Sequence, residues 1–208
     1  SDSMSPCIAG VKRHISTFVS TLEEDQQGGW DVRFDFLAHQ ATDHDGDVAL
    51  SSRSVHNIGG QTNIDALYGG GPGLWFTTDL SSFNQALDQI EIKGDEASLL
   101  ALDCVLDIPW RVREDCHRVV IFMTDEPLET GLYLSESQGL LGELREKIHA
   151  LKVKLFMVTP DSGGYEGLAA ADKCEWEVVP GGDGLASVDF SKLLKAMAKS
   201  VSKSQTPL

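Results

Sequence analysis

The chain has 208 residues, 41% hydrophobic and 24% charged, enough to bury one sizeable core and most simply a single domain over 1–208. Asp and Glu outnumber Lys and Arg by 32 to 17, a net charge of -15, which repels a phosphate backbone, argues against nucleic acid as a partner and favours a cation. No run approaches the roughly 18 apolar residues of a membrane-spanning helix, and the polar first residues do not read as a signal peptide.

After Ser1-Asp2-Ser3-Met4-Ser5-Pro6, the residues Ile8, Val11, Ile15, Phe18 and Leu22 recur at helical spacing until Gln27-Gly28-Gly29, which predicts an amphipathic helix with a start and a stop. Val32 to Ala38 reads as a strand. From about 42 to 73 the sequence is polar and Gly-rich, an insertion with a short possible strand at Val48-Ala49-Leu50. Order returns at Leu74 to Thr77, and Asp79-Leu80-Ser81-Ser82 forms an N-cap-like entry to a short helix carrying Phe83, Leu87 and Ile90. Gly94-Asp95-Glu96 leads into a helix with Leu99, Leu102 and Leu106, stopped near Pro109.

Val119 to Met123 is continuously apolar, as in a strand covered on both faces of a parallel sheet. A helix with Leu141, Leu144, Ile148 and Leu151 follows, then a strand from Val153 to Val158 ending at Thr159-Pro160. A shorter strand, Glu175 to Val179, precedes a last helix with Phe190, Leu193, Leu194, Met197 and Val201. The alternation predicts an α/β, three-layer sandwich: a mostly parallel central sheet flanked by helices. Cys7, Cys104, Cys116 and Cys174 are dispersed without a CxxC pair, as expected of reduced thiols in a cytoplasmic protein.

In an open α/β sheet, ligands bind beyond the carboxyl ends of the strands. Thr124-Asp125-Glu126 closes an apolar strand, Ser1-Asp2-Ser3 precedes the first helix, and Asp95-Glu96 precedes another. The set resembles the metal-ion-dependent adhesion site (MIDAS) of von Willebrand factor A (vWA) domains. That family carries an Asp-x-Ser-x-Ser motif, a distal Thr or acidic residue, and a late Asp. Ser1 and Ser3 match the motif serines, with Met4 after the second, and Asp125 matches the late Asp. Glu96, or failing it Asp95, stands for the distal residue.

The resemblance implies that Ser1 and Ser3 ligate Mg²⁺ directly, with Mn²⁺ or Ca²⁺ as alternatives. It also implies that Asp125 orients a metal-bound water and that Glu96 or Asp95 completes the sphere. A hard cation with oxygen ligands suits these groups. The motif's first Asp would fall two residues before Ser1, at the end of a central strand also missing here, so the sequence is expected to begin inside the domain. Without a metal, the same residues read as a serine N-cap and a strand-end Asp.

Three functions are compatible with these residues. The first is a non-enzymatic module that binds an acidic side chain of a protein partner through the ion. The second is a metal-assisted hydrolase or phosphoryl-transfer enzyme, for which no Ser/His/Asp order, Cys near His, or P-loop is present. The third is a scaffold whose metal site has decayed. Asp43-His44-Asp45-Gly46-Asp47 departs from a calcium-loop order and reads as an acidic turn. His39, His44 and His56 are irregularly spaced and read as loop histidines.

Overall fold

The computed structural model describes residues 4–25, 29–44, 47–61, 75–90, 98–112, 116–128, 134–161 and 164–203. In chain order these form α1 (Ser5–Asp25), β1 (Ala38–His44), β2 (Asp47–Ser54), β3 (Asn57–Gln61), α2 (Leu80–Leu87), α3 (Ser98–Asp107) and β4 (Arg118–Met123). The chain continues through α4 (Leu134–Leu151), β5 (Val153–Pro160), α5 (Tyr165–Ala169), β6 (Cys174–Val179), a 3₁₀ turn (Asp183–Ser187) and α6 (Phe190–Ser202).

The central sheet has the order β4-β5-β6, all parallel, with Arg118 opposite Val153 and Leu155 opposite Cys174. β5 is buried along its whole length, as a Val/Leu/Phe/Met run between two helical layers requires. On one face Phe156 and Val158 join the apolar stripes of α1 and α6, including Ile15, Phe18, Leu22, Leu194 and Val201. On the other, Val153, Leu155 and Met157 meet Leu99, Leu102 and Leu106 of α3, Leu144 and Ile148 of α4, and Leu168 of α5. The period-2 alternation of the strand thus feeds two separate cores, and the α/β sandwich expected from the sequence is the fold observed. β5 also buries Lys154, whose ammonium pairs with Glu175 at 2.8 Å and lies over the Phe156 ring.

The second sheet is an antiparallel meander, β1-β2-β3, with Ala38 opposite Arg53 and a register shift between Ser52 and Ser54. It converts the front of the expected insertion into regular structure, extending the short Val48–Leu50 strand to eight residues; residues 62–73 lie outside the described set. Asp35 ties this sheet to the segment around Phe76. Its carboxylate accepts hydrogen bonds from the backbone N–H groups of Phe36, Val55 and Phe76, at 2.8–2.9 Å. Burial pushes its pKa up, against the pull of those three donors.

One strand is corrected. The sequence predicts a strand throughout Val32–Ala38, yet before Ala38 its only bridge among the described residues is Phe34 with Thr77, two N–H to O bonds of 2.8 Å. The reason lies beside it. A trench of about 730 Å³ separates this segment from β4, walled by α1 and α3 and lined by Val11, Phe18, Phe34, Phe36, Leu102 and Val105.

Candidate metal centre

β4 delivers Thr124 and Asp125 to the carboxyl edge of the sheet. The ladder with β5 continues one step past the strand, Thr124 N–H donating to the Val158 carbonyl at 3.1 Å. The Asp125 carbonyl accepts from Gly182 N–H at 2.9 Å. Gly182 adopts φ 75°, a left-handed conformation that glycine enters without penalty, so the 180–184 turn folds over the strand end. The Thr124 hydroxyl oxygen accepts from Glu126 N–H at 3.2 Å and from the Ser98 hydroxyl at 3.4 Å. Tyr165 O–H donates to the Glu126 carbonyl at 3.2 Å. The backbone around Asp125 is therefore held on both sides.

The side chain is not. Asp125 is 0% exposed and Thr124 1%, yet neither carboxylate oxygen of Asp125 has a hydrogen-bond partner among the described residues. A buried carboxylate is ordinarily paired or bound to a metal, because desolvating it uncompensated costs several kcal/mol. This orphaned group fits a cation site.

Two helix starts reach the end of β4 beside it. Cys7, in the first turn of α1, places Sγ 3.1 Å from Sδ of Met123, two residues before Asp125. Ser98, the first residue of α3, reaches Thr124. Ser1 and Ser3, just ahead of α1, and Asp95 and Glu96, just ahead of α3, lie outside the described residues. Of the five residues expected in the site, the structure therefore describes Asp125 alone. No group of three or more His, Cys, Asp or Glu side chains converges among the described residues; a site built from serine hydroxyls and two carboxylates would not form such a group. His56 is likewise separate, its Nε2 3.0 Å from the Phe76 carbonyl.

Sequence reasoning assigns no role to Ser98 or Thr124. Thr124 stands in plain view in the Thr-Asp-Glu cluster. Ser98 carries a fainter signal, a hydroxyl at the start of the helix whose leading turn is itself a candidate.

The fold and this edge define an α/β sandwich protein with a buried carboxylate at the carboxyl end of a parallel strand, without a hydrogen-bond partner among the described residues. Comparison with known proteins finds no matching family model and no significantly similar curated protein. No helix among the described residues is long and apolar enough to cross a membrane.

Proposed function

We propose that the chain is a vWA-like, metal-ion-dependent protein-interaction module, not an enzyme, that captures an acidic side chain of a protein partner through Mg²⁺. The observation that carries this reading is the Asp125 carboxylate, fully buried, without a hydrogen-bond partner among the described residues, and placed where two helix starts meet a strand end. Ser1 and Ser3 would supply hydroxyl ligands, Asp125 negative charge, and Glu96 or Asp95 the remaining protein oxygen. Bound there, the ion supplies a coordination position that a partner's carboxylate fills. Mn²⁺ would substitute readily, and Ca²⁺ less well for want of further carboxylates. A cytoplasmic setting suits Cys7 and Cys104, which are buried, and Cys174, whose thiol burial pushes up to about 11.

Isothermal titration of the chain with Mg²⁺, followed by capture of immobilised peptides carrying one Asp or Glu, tests the proposal. Saturable Mg²⁺ binding is expected, with capture of acidic peptides but not their amide counterparts, abolished by Ser3→Ala. Failure to bind Mg²⁺ or Mn²⁺, or capture unchanged by Ser3→Ala, overturns it.

A further inference from the structure

α6 reads Phe-Ser-Lys-Leu-Leu-Lys-Ala-Met-Ala-Lys-Ser-Val-Ser, with Lys203 as its C-cap. Leu194, Met197 and Val201 are buried in the core shared with α1, whereas Lys192, Lys195, Lys199 and Lys203 are exposed. At about 100° per residue the four lysines fall within an arc of about 80°, one stripe roughly 16 Å long. The helix contains no Asp or Glu, in a chain with 32 acidic and 17 basic residues. None of the four ammonium groups makes an ion pair among the described residues, while Lys12, Lys147 and Lys154 each pair with a carboxylate. Glu175, which reaches α6 from β6, is held by Lys154 and the Ser200 hydroxyl. Helix stability does not account for the stripe. The dipole favours Lys199 and Lys203 near the last turn, but it disfavours Lys192 in the first, and like charges three and four residues apart repel.

We propose that the lysine stripe of α6 is a docking surface for an acidic segment of a protein partner, bound in extended form along the helix. Its chemistry follows from the four unpaired ammonium groups, which carboxylates complement. Its spacing follows from the helix. Lys195, Lys199 and Lys203 recur about every 6 Å along the axis, close to the repeat of about 6.7 Å between alternate residues of an extended chain. Acidic residues at every second position therefore meet successive lysines, and about seven residues cover the stripe. The width of the stripe selects a peptide over broader anions. It is one helix across, on a chain whose net charge is -15, so a narrow segment seats on the lysines alone, while a bilayer or a duplex also faces the acidic remainder. A bilayer would further lack an apolar anchor, because the exposed large hydrophobic residues described are Val112 and Val178, neither of them on α6. The proposal does not rest on the metal reading.

The test uses the 208-residue chain in EDTA at low salt, so that no metal-bound contact contributes, and a fluorescein-labelled peptide with the core Glu-Ser-Glu-Ser-Glu-Ser-Glu. Fluorescence polarisation is read for the parent, for Lys195→Gln/Lys199→Gln, and for Arg13→Gln/Arg145→Gln, which removes the same charge from exposed positions on α1 and α4. Saturable binding is expected, weakening as salt is raised. The lysine variant should bind about fivefold more weakly and the arginine variant within about twofold of the parent, since exposed pairs contribute little singly. Gln removes the like-charge repulsion within α6, so the lysine variant should melt no lower than the parent, which separates lost binding from lost folding. A peptide with Gln for every Glu should not bind. Equal weakening by the two double variants overturns the proposal, because net charge alone would then govern binding, and so does equal binding of the Gln peptide. Binding to phosphatidylserine vesicles that the acidic peptide does not displace overturns it in favour of a membrane.

Discussion

Replacing Asp125 by Asn should stabilise the chain in a chelator and destabilise it, relative to the parent, in Mg²⁺. Asp125 is 0% exposed with both carboxylate oxygens unpartnered among the described residues. An unsatisfied buried polar group costs about 1–3 kcal/mol, and a charged one more. Asn keeps the shape and removes the charge, so in EDTA the variant should gain on the order of 1–3 kcal/mol. For a chain of this size each kcal/mol moves Tm by about 2–4 °C, so the expected rise is roughly 2–12 °C. In Mg²⁺ at a thousandfold excess over Kd the order reverses, because a ligand that binds only the folded state stabilises it by RT ln(1 + [L]/Kd), there about 4.1 kcal/mol. The parent should show that gain and Asp125→Asn little of it. Thermal melts of both proteins in EDTA and across a Mg²⁺ series measure all four values. If Asp125→Asn melts lower in EDTA and both proteins rise equally with Mg²⁺, the carboxylate is satisfied in the folded state and holds no cation.

Two further outcomes probe the frame. Gly10 of α1 stands against the Phe190 ring, which a Cβ there would approach to 2.2 Å, whereas a Cβ at Gly142 of α4 meets nothing within 4 Å. Gly10→Ala should therefore cost about 1–3 kcal/mol by overpacking, while Gly142→Ala gains up to about 1 kcal/mol of helix propensity; urea melts giving the same sign for both would refute this packing of α1 on α6. His117 lies against Trp30, ring centroids 5.4 Å apart, and burial, with Lys173 adding to it, lowers its pKa below the ordinary 6.5. The unfolded chain then takes up a proton before the folded one. His117 thus contributes stability that is present above pH 6.5 and lost as the pH falls through the folded value. Between pH 7 and 5, Tm should fall less steeply for His117→Gln than for the parent, and parallel slopes would show that another group governs that range.

How much of the fold is legible in the sequence depends on which interactions are local. The helices of residues 5–25, 80–87, 98–107 and 190–202 announce themselves through apolar spacing. The side chain of Asp79 accepts from the Ser81 and Ser82 backbone N–H groups, as an N-cap does. The meander is harder, because β1 and β2 carry Ala38-His39-Gln40-Ala41 and Leu50-Ser51-Ser52-Arg53, weakly alternating sequences that take their register from pairing with one another rather than from an apolar face. Asp35 is a similar case, since its role depends on Val55 and Phe76, 20 and 41 residues away. At the candidate site the sequence locates the strand end, but not that the carboxylate is sealed from solvent, nor that Gly182, beyond β6, binds the Asp125 carbonyl through its N–H.

β4 departs from its own sequence in a more instructive way. Its composition is that of an enclosed strand, and among the described residues it lies at the sheet's edge, with Val119, Ile121 and Met123 only partly covered. Val32–Phe36 departs in the same sense, strand-like in sequence and nearly unpaired in structure. A single misread segment would call for a local explanation, such as propensity overridden by tertiary context. Two of them, lining one apolar trench, share surroundings that local composition does not anticipate. Side-chain composition registers the surroundings in which a strand is stable, and both segments border the trench with no further strand between them among the described residues.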